Sequence, residues 1–156
     1  MSTPEELTAG LASLVRARVT DFSRTLNMAE VGFLRDGVVW RLHAQCPFRV
    51  RQGDRILVGT VDMNYPVDPE ADRMAAFDQY AMMFDRNAKK LTARFQQTAS
   101  FVDSAVLGPA GTVTLALSES VVIEVMPASA GLRVEQWRIF ERGSDTHYVF
   151  PDSADR

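Results

Sequence analysis

An α+β domain built on an antiparallel meander is the fold class this sequence predicts, and three observations predict it. In Val38–Val50 (VVWRLHAQCPFRV), Val38, Trp40, Leu42, Ala44, Cys46, Phe48 and Val50 alternate with Arg41, His43, Gln45 and Arg49. That two-residue period belongs to a strand with one face on a core. Turn-forming residues then punctuate the chain at short intervals, as a meander requires. Finally, Met74, Phe77, Ala81, Phe84, Ala88, Leu91 and Phe95 recur at spacings of three and four, the period of one helix face. The expected architecture is a largely antiparallel eight-strand meander, with one long amphipathic helix between two similar four-strand halves and a short N-terminal helix. Residues 1–150 form one domain in this reading and 151–156 a flexible tail.

Thr3 can cap the first helix, with Pro4 in its first turn and Glu6 placed to complete a capping box. Leu7, Leu11 and Leu14 share its face, Gly10 weakens its middle, and it is expected to end near Leu14. Val15–Thr25 and Asn27–Leu34 read as strands, and Asp36-Gly37 is a hairpin turn into Val38. Pro47 has no N–H to donate, which places the Val38–Val50 strand at an edge there or demands a bulge after Cys46. A turn at Arg51–Arg55 leads into a strand from Ile56 to Met63. Asp68 then caps a helix over 69–97 with Pro69 at its first position, and Tyr80, Met82 and Met83 widen its apolar face. Strand patterns resume from Ser100 to Phe150, including a stretch from Arg133 to Glu141. The tip Phe33–Val39 resembles Ala116–Val122, and each enters a strand that ends at a proline, which suggests a duplicated meander.

The 156 residues are enough to bury a core without metal or disulfide staples. A net charge of −3 supplies no global field for nucleic acid or an anionic membrane, so neither is expected as a partner. One cysteine excludes an internal disulfide and any multi-cysteine metal site. The acidic start MSTPEEL lacks the pattern of a secretory signal, and no apolar run reaches membrane-spanning length. A cytoplasmic location is the expectation.

No phosphate loop, dinucleotide fingerprint, nucleophile elbow or metal-ligand spacing occurs, so no catalytic residue, metal or cofactor is assigned. Strand alternation puts His43 opposite Cys46, which argues against a local Cys–His dyad. His147 remains as a cross-strand candidate. Arg41, His43, Gln45, Arg49 and Arg51 form a polar strip able to meet an anion or a protein partner, with Glu124, Glu135 and Glu141 as alternative cross-strand partners. Trp40 and Trp137 would line a pocket if the two halves faced each other.

The motif Leu42-His43-Ala44-Gln45-Cys46-Pro47-Phe48-Arg49, with Glu135-Gln136-Trp137-Arg138-Ile139-Phe140 and His147-Tyr148-Val149-Phe150, resembles a group of small bacterial domains of unknown function. Phe48 stands where such domains usually carry tryptophan. The resemblance implies architecture and brings no activity or functional residue. The leading functional expectation is a non-catalytic protein-interaction module, of the toxin-neutralising or immunity type, using the Arg41–Arg51 strip or a sheet edge. A small-molecule binder with a pocket between helix and sheet comes second, and an enzyme using Cys46 or a histidine–carboxylate pair third.

Overall fold

The computed structural model describes residues 2–130 and 134–151. Helix α1 (Pro4–Ala12) leads into β1 (Arg18–Thr25), β2 (Met28–Arg35), β3 (Val38–Ala44), β4 (Phe48–Gln52) and β5 (Arg55–Gly59). Helices α2 (Arg73–Asp78) and α3 (Met83–Gln97) follow. The chain then runs through β6 (Val102–Leu107), β7 (Val113–Leu117), β8 (Val121–Val125), β9 (Trp137–Glu141) and β10 (His147–Phe150). All strand pairs are antiparallel and make two five-stranded sheets, ordered β1-β2-β3-β9-β10 and β5-β4-β8-β7-β6. The α+β meander is therefore present, with ten strands among the described residues rather than eight.

The extra strands come partly from Val38–Val50, which divides at Gln45–Pro47. Neither piece is an edge: β3 lies between β2 and β9, and β4 between β8 and β5. Pro47 sits where the chain turns the corner from one sheet into the other, so its missing N–H costs no ladder bond. Neighbouring backbone is satisfied there: the Gln45 N–H donates to the Gln136 carbonyl (2.8 Å), and the Met126 N–H to the Pro47 carbonyl (2.8 Å). The alternation runs through the corner unbroken, with Leu42, Ala44, Cys46, Phe48 and Val50 all buried.

Duplication is visible in the topology. The first half gives three strands to one sheet and two to the other, and the second half does the reverse, with β3 pairing β9 and β4 pairing β8. Helix α3 packs on β1 and β5, and α1 packs on β6 and β10. One constant shift along the chain relates Arg18 to Phe101, which bridge each other, and relates the β1 irregularity at Val19/Asp21 to that of β6 at Val102/Ser104. The same shift carries Phe33–Val39 onto Ala116–Val122. Among the described residues each half contributes five strands, not four.

The capping box of α1 is present: Glu6 N–H donates to Thr3 Oγ1 (3.1 Å) and Thr3 N–H to Glu6 Oε2 (2.9 Å). Gly10 is explained by packing. A Cβ there would lie 2.5 Å from Cγ of Tyr148, whose ring covers the helix, so no larger residue fits without displacing β10. The Asp36-Gly37 turn has φ of +51° and +77°, the positive pair that a two-residue hairpin needs.

The long helix expected over 69–97 is two helices. Asp72 rather than Asp68 caps the first, accepting the Ala75 N–H (2.9 Å), while the Asp68 carboxylate accepts the Glu70 N–H in a local turn. Tyr80, with φ of +56°, ends it. The break is held by a residue distant in sequence: Arg24, 5% exposed, reaches from β1 to donate to the Phe77 carbonyl (2.7 Å) and to both oxygens of Asp85 in the first turn of α3. Its guanidinium lies 4.2 Å and 4.4 Å from the ring centroids of Phe77 and Tyr80. Met74 is therefore solvent-exposed instead of on a helical seam, and Tyr80 does not widen one. Phe84, Ala88, Leu91 and Phe95 remain buried in the single core cluster. The strand expected from Arg133 begins at Trp137. Arg133 itself, the end of the Pro127–Gly131 turn, and residues 152–156 of the expected tail lie outside the described residues.

Candidate functional site

The polar strip on Val38–Arg51 is paired within the fold. Arg41 bonds Asp21 at 3.0 Å and lies 3.6 Å from Glu30, which also faces His43 at 3.5 Å. Gln45 donates to Glu135 (3.0 Å), and Glu124 takes both Arg49 (2.9 Å) and Arg51 (2.7 Å). The corner also places Arg41 and His43 on one sheet and Arg49 and Arg51 on the other. Burial pushes the Glu124 carboxyl upward, but the bonds from Arg49 and Arg51 outweigh it and hold the group below its ordinary value. Cross-strand neutralisation is what these side chains supply here.

Trp40 and Trp137 share a sheet on adjacent strands, so they do not face each other across a cleft. Trp137 is fully buried: its Nε1–H donates to the Gly111 carbonyl (2.7 Å) and its ring stacks on Phe150. Neither tryptophan lines any of the hollows described below.

His43 and His147 flank Phe140, the first edge-on and the second stacked, and His147 Nδ1 contacts Arg138 at 2.6 Å. Burial, the largest influence, leaves the His43 ring harder to protonate than its ordinary value of 6.5; Glu30 opposes this and the neighbouring Arg41 and Arg138 add to it. The sign follows: as pH falls through 6.5 the unfolded chain takes the proton first, and native stability drops until the folded ring also protonates. Above 6.5 this contribution is complete. Denaturation of His43→Gln between about pH 7.5 and 5.5 should show a shallower fall in stability than wild type, and identical slopes would contradict it.

Cys46 is 4% exposed, and burial pushes its thiol up to about 11. Thiolate chemistry near neutral pH is suppressed by that environment. Iodoacetamide at pH 8 should modify Cys46 only as fast as the chain unfolds; rapid modification of the native protein would contradict this. Among the described residues no three His, Cys, Asp or Glu side chains converge as metal ligands.

A different surface stands out on the connector between β5 and α3. Six large apolar side chains are exposed on or beside it: Leu26, Val61, Tyr65, Val67, Met74 and Tyr80, with Val61 64% and Met74 74% accessible. The connector is nonetheless clasped at its base. Val67 N–H donates to Ala81 O (2.9 Å) and Met83 N–H to Tyr65 O (2.7 Å), while Met82 is buried beneath. Arg73 bonds Asn64 (2.8 Å), which ties α2 to the turn after β5.

Two hollows flank this clasp. One, about 490 Å³, has Val61, Met74 and Phe77 on one wall and Asn27, Cys46 and Pro47 on the other. The second, about 580 Å³, lies between β1 and α3 and is bordered by Val67 and Tyr80. Asp62, Asp68, Glu70, Asp72 and Asp78 are interspersed with the apolar groups along the segment, with Arg73 as its single cation, and Arg86 and Lys89 line the second hollow.

Sequence periodicity missed this surface because it assigned Met74 and Tyr80 to a helix seam. The available signals were the second cap at Asp72 and the Pro66/Pro69 pair, which interrupt a helix ahead of it. No family model, curated protein or solved structure matches this chain.

Proposed function

We propose that the protein is a non-catalytic protein-interaction module whose contact surface is the connector 61–80. The observation that carries this reading is the concentration of exposed Val61, Tyr65, Val67, Met74 and Tyr80 on one ordered segment. Apolar patches of this kind, rimmed by polar groups, mark interaction sites. The segment belongs to neither repeat, so packing of the repeated fold gives no reason for its composition. Flanking hollows supply recesses for partner side chains, as interface anchors need.

The rim selects the partner's charge. Five carboxylates against three cations, Arg73 with the Arg86 and Lys89 that line the second hollow, favour a partner with a basic, apolar segment over an acidic one. A toxin with a cationic working surface, such as one acting on nucleic acid, presents that chemistry. The paired Arg41–Arg51 strip is then scaffold.

Val61→Glu/Met74→Glu tests the reading, since both side chains are exposed and the fold should tolerate the change. A partner captured by the wild type is identified, purified and titrated against both proteins. The double variant should bind at least about a hundredfold more weakly, as loss of two anchors implies. Equal affinity for wild type and variant would remove the connector from the interface.

A further inference from the structure

We propose a second binding site, a groove between β5 and α3 that takes an extended acidic segment of another protein with apolar residues at alternate positions. Arg86, Lys90 and Arg94 stand four residues apart along α3, and Arg55 faces them from β5, enclosing about 290 Å³. No carboxylate lines the groove. Among the described residues Arg55, Arg86 and Lys90 have no ion-pair partner, and Arg94 reaches only Gln52 (3.2 Å) and the exposed Glu119 (3.6 Å). Arg16, Arg18, Arg73, Lys89 and Arg142 likewise have no ion pair among the described residues, and what singles this groove out is that three such cations, Arg55, Arg86 and Lys90, line one recess without a carboxylate, a setting complementary to an external anion.

The shape of the occupant follows from spacing. Cations four residues apart on a helix repeat about every 6 Å along its axis. Side chains on one face of a strand repeat about every 6.6 Å, so alternate carboxylates of an extended peptide stay in step with the row. Ile56 and Leu57 on β5, across from the α3 row, give the groove an apolar wall for the intervening residues, and Ile56 is 55% exposed. Among the described residues strand β5 pairs only with β4, so its other edge has no strand partner and offers backbone groups to a strand-like segment. A small anion would need convergent donors rather than a row. Single-stranded nucleic acid would need stacking rings, and no aromatic side chain lines the groove.

The test is fluorescence anisotropy with a short peptide alternating glutamate and valine, the same peptide with lysine for glutamate, and an oligothymidylate. The glutamate peptide should bind, weaken with salt, and lose at least about tenfold in affinity on Arg86→Glu/Lys90→Glu, both exposed positions. Val61→Glu/Met74→Glu should leave that binding unchanged, which separates this site from the connector. Absence of peptide binding, binding that survives the charge reversal, or oligothymidylate binding as tight as the peptide's would each overturn the proposal.

Discussion

Phe84→Asp is expected to leave no folded protein. Phe84 is 1% exposed at the start of α3, where it enters the core shared by both sheets. Truncating such a ring costs about 3–5 kcal/mol, and a buried carboxylate with no partner adds several more. Together these reach the whole stability of an ordinary domain, about 5–15 kcal/mol. Circular dichroism and a one-dimensional proton spectrum should show an unfolded chain. A folded monomer with a native melting transition would contradict the place of Phe84 in the core.

Asp85→Ala is expected to cost about 3–5 kcal/mol, the range for removing one partner of a buried ion pair. The variant leaves the Arg24 guanidinium buried without a counter-charge, since its side chain is only 1% accessible and Asp85 is its one ion-pair partner among the described residues. The Met82 N–H also loses its bond to Asp85 (3.0 Å), so the junction of connector and α3 loosens at two points. Urea denaturation measures the loss. Arg24→Met/Asp85→Leu should recover most of it, because replacing both partners by apolar groups removes the unpaired charge. A double variant no more stable than Asp85→Ala would show that shape, not charge, is what the pair supplies.

The two effects differ in how far they were legible in sequence. Phe84 was legible, because Phe84, Ala88, Leu91 and Phe95 obey the helical period and remain buried. Arg24 was not: nothing in an ordinary strand pattern marks one arginine as the group that will reach sixty residues along the chain and hold a helix break, a contact of sequence separation 61. Local signals did well where local chemistry decides, as at the Thr3/Glu6 capping box and the Asp36-Gly37 turn. They failed where tertiary contacts decide, as at Tyr80.

Glycine and proline show the same division. Gly10 reads as a weak helix position until Tyr148 is seen lying against it. Pro47 reads as an edge or bulge marker, yet it sits at a sheet-to-sheet corner that no single strand can reveal. The polar strip was legible as residues and not as a role. Glu124 was legible only as one of three glutamates able to pair with the strip's arginines, whereas Asp21 and Glu30 required the β1-β2-β3 register. The exposed connector lay hidden beneath a plausible helix.

Hydrogen–deuterium exchange of the protein with and without its purified partner tests the central claim most directly. Protection should concentrate in peptides covering 61–80, with Leu26 and the neighbouring turn, and leave the Val38–Arg51 strands at their unbound rates. Protection confined to residues 38–51, with the connector exchanging as in the free protein, would contradict the account and return the interface to the arginine strip.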